Sequence, residues 1–364
     1  MKLKNIILIS AASLLWSCVN DSKNENVDTY DVKKILVNAA DNIILPQLLA
    51  LKESTVEIQN ALNEFNTNPD LSELTSLREK FKTGYLTWQS CSFINFGSND
   101  FDVLAYSLST FPVNKESIDS FSTKEDPNLK WSTYLDARGY PGFDYVLYDG
   151  EDNEIINKLN STLKTYCSKN IEFIRTKTDY AHNFWKNNVE GYYTEFKSDG
   201  SKTVTSAFSQ YINAFCKDLE VLKNEQLKAP GGQEAYTFPL PHESEALYSG
   251  YSLDLFKAHL ENLERIYKGE DLSGNNGIGF DDYLKELGTK RNDEYLNDLI
   301  LNTFSTIEEK ANELNGSIND AAANQKSIVD ELYANVKKLV GYTKTDMTYA
   351  FGVNISYEDP QDGD

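Results

Sequence analysis

The chain has 364 residues, enough for about two domains, and at 40% hydrophobic and 25% charged it has a globular composition, which excludes a disordered chain or a membrane bundle. Thirty-five Lys and Arg against 56 Asp and Glu give a net charge of −21, and a phosphate backbone needs a basic footprint, so nucleic acid is excluded as a partner. The same acidity suits cationic ligands or metal ions, although only 3 histidines are present to hold one.

In chain order, Lys2 and Lys4 precede an apolar run over 6–15 that is too short to span a bilayer, which takes about 20 residues. It fits the apolar region of a secretory signal. Ser17-Cys18 resembles the lipobox of bacterial lipoproteins, with Trp16 bulkier than the usual residue there. That resemblance implies cleavage after residue 17, lipidation of Cys18 and anchoring to a membrane; an ordinary signal peptide cut elsewhere is the alternative. Val19 is not the Asp that retains many lipoproteins at the inner membrane, so the implied location is the outer membrane, facing periplasm or exterior. Residues 18–30, with Asp21, Glu25 and Asp28, read as an acidic flexible tether. Cys91, Cys167 and Cys216 remain, an odd number that allows at most one disulfide.

Beyond the tether the pattern is helical. Residues 31–65 are periodic, with Pro46 as a kink. Leu71, Leu74, Leu77, Phe81, Tyr85 and Trp88 recur every three or four residues after Asn68-Pro69, read as the cap. Residues 155–185 form a long helix, and Phe208, Tyr211, Phe215, Leu219 and Leu222 a further stripe. Phe256, Leu260, Leu263 and Tyr267 follow, then stripes at 296–314 and 328–339. Strand-like alternation is confined to 143–148 and 353–357. Such helices pack as antiparallel bundles, so the fold class is all-α, two helical bundles side by side. The Pro- and Gly-rich stretch 229–241 divides them, giving domains at 31–230 and at 231–364 with an acidic tail.

Four segments carry a family resemblance. They are Trp88 with Phe96-Gly97; Arg138-Gly139-Tyr140-Pro141-Gly142-Phe143-Asp144; Glu245-Ala246-Leu247-Tyr248-Ser249-Gly250-Tyr251-Ser252, leading to a helix that ends Tyr267-Lys268-Gly269; and the closing Asp362-Gly363-Asp364. In order and spacing they resemble the imelysin family of bacterial envelope proteins. That resemblance implies a two-bundle helical fold, a metallopeptidase label and a link to iron uptake. The family signature is Gly-x-His-x-x-Glu. Here Gly139 matches, Pro141 stands in place of His, and Asp144 in place of Glu. Proline has no side-chain lone pair, so it neither ligates a metal nor moves a proton.

The residues are therefore read as a binding site. Arg138, Gly139, Asp144, Glu245, Ser249 and Ser252 are expected to line one polar pocket where the bundles meet, with Arg138 as partner to the Asp144 carboxylate. A buried structural ion pair, with Ser249 and Ser252 as helix caps, is the equally weighted alternative. Asp179-x-x-His182 has metal-ligand spacing but occurs once and reads as structural. His242 sits in the linker within reach of a cleft, and His259 lies beside an apolar stripe, where a structural imidazole is the ordinary outcome. No nucleophilic triad or phosphate loop is present, and 274–279 reads as a connection or lid.

Three functions follow from these readings. The first is a lipid-anchored envelope binding protein serving iron acquisition, whose ligand is a metal, chelate or peptide, and which works beside an envelope transport protein. The second is a non-catalytic scaffold docking to a membrane partner, and the third a metallopeptidase. No catalytic residue is assigned; a divalent metal or iron is the only cofactor class in view.

Overall fold

A computed structural model describes residues 30–98, 101, 103–123 and 128–357. The signal run, Cys18, nearly all of the tether and the acidic tail lie outside them. The fold is all-helical, as the periodicity requires. Helix α1 (Lys33–Thr67) runs through a π-helical turn at Ala39–Ile44, just ahead of Pro46. The ring that removes an N–H is thus absorbed by a local change of hydrogen-bond step, and the helix continues where a kink was expected. By length and composition α1 is apolar enough to cross a membrane, yet Leu36, Ile44, Leu48, Leu51, Ile58 and Phe65 are wholly buried against protein.

Helix α1 packs on α2 (Leu71–Gln89) and α7 (Lys164–Lys186). The N-cap of α2 is Asp70, not Asn68: its side chain accepts from Glu73 N at 3.0 Å. Between α2 and α7 lie the short α3 (Leu104–Leu108) and α4 (Lys115–Ser120), then α5 (Gly139–Tyr148) and α6 (Asp152–Asn160). Residues 143–148, expected to alternate as a strand, are helical in α5. Every residue from Gly139 to Leu147 is buried, so α5 has no polar face to give a helical period.

After α8 (Tyr192–Ser198) comes α9 (Ala207–Lys223), extended by a π-helical turn at Asn224–Lys228. The second half holds α10 (Ser252–Lys268), α11 (Phe280–Leu287), α12 (Leu296–Glu313), α13 (Ile318–Asn324), α14 (Lys326–Val340) with a π-helical turn at Gly341–Met347, and α15 (Thr348–Phe351). A two-residue antiparallel ribbon, Lys290–Arg291 with Glu294–Tyr295, is turned by Asn292 and Asp293, both at positive φ. Helix α9 packs on α10 and α14, so it stands with the elements that follow the Pro-Gly-Gly breaker as well as those before it. One continuous apolar core runs through both halves.

Polar ties cross that core. Asn38 Nδ2 donates to Gly269 O at 2.7 Å and to Ile278 O at 3.1 Å, and Gln47 Nε2 to Asn262 Oδ1 at 2.6 Å. The 274–279 segment is accordingly a pinned connection. Cys91, Cys167 and Cys216 are all buried free thiols, with no disulfide among the described residues. Replacing Asn38 by Ala leaves the Ile278 carbonyl without its side-chain donor and the Gly269 carbonyl with only the Gly277 N–H, and should lower unfolding free energy by about 1–2 kcal/mol, read by denaturant titration.

Candidate functional site

The end of α2, the π-extended end of α9, the loop before α10 and α10 itself converge on a cavity of about 100 Å³. Its polar lining is Gln89, Ser92, Asn95, Ser109, Lys217, Asp218, Glu225, Gln226, Glu245 and His259; Trp88, Ala105, Tyr106, Phe111 and Val221 supply apolar walls. The amphipathic stripes carry several of these groups inward. Asp218 follows Phe215 by three residues and precedes Leu222 by four, and His259 relates in the same way to Phe256 and Leu263. Both therefore sit on the apolar faces of their helices, and both are buried.

Glu245 is 4% exposed and accepts three hydrogen bonds. Gln89 Nε2 and Ser109 Oγ each donate to its Oε1 at 3.0 Å, and Gln226 Nε2 to its Oε2 at 2.6 Å. Next to this group, Asp218 Oδ2 lies 2.7 Å from His259 Nε2 and accepts from Ser92 Oγ at 3.0 Å. The other ring nitrogen, Nδ1, lies 3.3 Å from Gln226 Oε1. Burial alone pushes the His259 pKa down, but Asp218, with Glu245 and Glu225 behind it, outweighs that and raises it. Glu225 stands exposed at the cavity mouth. Partial desolvation of its carboxyl at that mouth, with the negative field of Glu245 and Asp218 and against His259 and Lys217, pushes its pKa up to about 7.

This is not a nucleophilic triad. Ser92 Oγ is 3.4 Å from the same Nε2 that Asp218 occupies, and its hydroxyl is given to Asp218. A triad needs the acid on one ring nitrogen and the hydroxyl on the other.

Asp144 lies in an adjoining cleft of about 300 Å³ with Pro141, Lys115, Glu116, Tyr248 and His242, the linker histidine thus reaching a cleft as expected. Its two oxygens accept from the backbone N–H groups of Tyr248 (2.8 Å) and Ser249 (3.1 Å). Desolvation pushes its pKa up to about 6 against those bonds, which pull it down, while Glu245 adds to the rise. The turn it holds is a tight one: Ala246, next to Glu245, has φ 50° and Gly250 φ 74°. A non-glycine residue in the left-handed region costs about 1–2 kcal/mol unless its surroundings fix it.

The six expected residues do not share one pocket. Asp144 and Ser249 meet, Glu245 faces the neighbouring cavity, and the other three are structural. The Arg138 guanidinium donates to the carbonyls of Leu129 and Trp131 and lies 4.4 Å from the Phe173 ring centroid, with no ion pair to Asp144 among the described residues. Gly139 is clamped by Asn170, which accepts from its N–H and donates to its carbonyl. At φ 76°, a Cβ there would sit 2.2 Å from Leu108 O. Ser252 Oγ accepts from Ile318 N, the first residue of α13, at 2.9 Å, and makes no cap bond to its own helix; the N-cap of α13 is Ser317. Asp179 pairs with Lys52 at 3.2 Å, and His182 is buried with its pKa lowered by burial and by Lys52. His259, expected to be structural, belongs to the cavity; Gln89, Ser92, Ser109, Asp218, Glu225 and Gln226 went unselected. Polar residues at core positions of apolar stripes were the available signal.

The signature does not fit a hydrolytic metal. Pro141 offers no donor, Asp144 has an amide on each oxygen, and no three His, Cys, Asp or Glu side chains group to share an ion among the described residues.

A family model described as Imelysin matches residues 44–341. Two solved structures share the fold. An imelysin-like protein from Psychrobacter arcticum 273-4 is 15% identical with a TM-score of 0.68, covering 91% of this chain and 99% of its own. A "putative iron-regulated protein A precursor" from Parabacteroides distasonis ATCC 8503 is 14% identical with a TM-score of 0.66, covering 86% and 95%. No curated protein matches.

Because Asp144 titrates near 6 in the fold and near 3.8 unfolded, the folded chain binds the extra proton between those values. The ionised group's penalty is complete above pH 6 and is relieved as pH falls. Wild type should therefore gain on the order of 1 kcal/mol over Asp144→Asn between pH 7 and pH 5, followed by chemical denaturation at both pH values; a flat difference would contradict the buried, ionising carboxyl.

Proposed function

The chain belongs to the imelysin family, and on that premise we propose that it is an envelope protein that binds a ligand between its two halves and does not cleave peptides. In this reading Cys18 carries the lipid anchor, the outer membrane is its location, and its service is to iron acquisition. The observation that carries the proposal is the occupation of Asp144. Both oxygens of the signature acid are spent on the turn that bears Glu245, while Pro141 fills the imidazole position. The signature has exchanged chemistry for architecture: it positions a carboxylate at a cavity. Within that cavity the hydroxyl nearest the imidazole, Ser92 Oγ, is bound to Asp218, which supports a binding site over a nucleophilic one. The iron link rests on the family resemblance and on the printed name of one structural relative, which speaks of that relative alone.

Two measurements test this reading. Purified mature chain incubated with unfolded casein should yield no fragments, with or without added zinc; cleavage abolished by a chelator would overturn the proposal. In the native host, deletion should slow growth on limiting iron, and Cys18→Ser should move the protein to the soluble fraction and fail to restore growth. Full growth of the deletion strain would remove the iron role.

A further inference from the structure

The cavity holds more negative charge than positive: Asp218, Glu225 and Glu245 face only the His259 ring and Lys217. Glu245 can only accept, so the Gln226 amide must turn Nε2 toward it; that same Nε2 lies 3.2 Å from Gln89 Oε1. Gln226 Oε1 then faces His259 Nδ1, and this nitrogen must carry a hydrogen. Nε2 of the same ring contacts the Asp218 carboxylate. With a hydrogen on each nitrogen the ring is an imidazolium, and it cancels Asp218. Glu245 is left over. Its donors Gln89, Ser109 and Gln226 are all neutral, and no ion pair reaches it among the described residues. Glu225, at the mouth, also has no hydrogen-bond or ion-pair partner there; Lys217 is the one ammonium group lining the cavity.

A buried carboxylate without a counter-charge is costly, and a cationic ligand would supply one. The walls decide which kind. Trp88, Ala105, Tyr106, Phe111 and Val221 present carbon, which repels a hydrated metal ion and favours an alkyl chain with a cation at its end. Each Glu245 oxygen is already hydrogen-bonded, which leaves room for a further N–H donor but not for a chelating set. A cavity of about 150 Å³ holds a benzene, so about 100 Å³ suits a thin unbranched chain better than a ring.

We propose that this cavity binds a primary alkylammonium group, its nitrogen donating to Glu245 and Glu225 and its carbons lying against Trp88, Tyr106 and Phe111. The inference rests on the reading of the chain as a binding protein and names the chemistry its ligand presents. A free short amine and the lysine side chain of a peptide offer the same group.

Calorimetry on the full mature chain tests it, with n-butylamine, acetyl-lysine amide, n-butanol and calcium chloride as probes. Butylamine should bind saturably, with butanol and calcium at least tenfold weaker. Glu245→Gln should weaken amine binding tenfold or more. Should that variant fail to fold, Glu225→Gln, changed only at the cavity mouth, should still weaken binding severalfold without lowering the melting temperature. Acetyl-lysine amide binding as tightly as butylamine points to a peptide source, and butylamine binding alone to a free amine; both support the proposal. Calcium binding more tightly than either amine, or amine binding indifferent to both substitutions, would overturn it. Loss of this inference alone would leave the casein and growth results as stated above, whereas chelator-sensitive proteolysis would remove the reading beneath it.

Discussion

One buried carboxylate of the second half gathers three elements of the first around it. Glu245 takes one hydrogen bond from the last residue of α2, one from Ser109 beyond α3 and one from the π-extended end of α9. Neutral donors hold a buried anion in place without neutralising it. The geometry therefore depends on a group whose field remains directed into the cavity, and the surrounding side chains are arranged by it. Gln226 is oriented by Glu245, His259 by Gln226, and Asp218 by His259. Removing one partner would leave several buried polar groups unsatisfied together, which is why such networks tend to be complete or absent.

The altered signature makes sense in this frame. Asp144 holds backbone amides of the turn after Glu245, a turn that includes a left-handed alanine. A residue kept in that region needs neighbours that over-determine it, and the buried Asp144 does so from the adjoining cleft. Gly139, at the start of the same helix, is fixed by Asn170 and by the closeness of Leu108. The conspicuous motif is thus a support for the less conspicuous residue beside it.

How much of this was legible follows from the kind of signal each part leaves. Apolar residues at three- and four-residue spacing disclosed the long helices and the all-α class, because that period is set by helix geometry itself. Helix α5 left no such trace, being buried on every side. Glu245 was legible through its motif. Arg138 misled because charge suggested a partner six residues away, while backbone carbonyls and a Phe173 ring were what the fold brought near. Asp218 and His259 were visible as polar residues on apolar stripes, but they lie 41 positions apart, and only packing shows that the two meet.

The π-helical turn at Asn224–Lys228 has one more implication. Such a turn accommodates one residue more than a regular helix would, so everything past it is rotated by about 100° relative to an uninterrupted spiral. Gln226 owes its aim to that added residue. A relative lacking it would keep the upstream part of the helix and its core contacts, yet present a different side chain to Glu245. Length variation at this one place would thus reshape the polar lining of the cavity while leaving the framework unchanged.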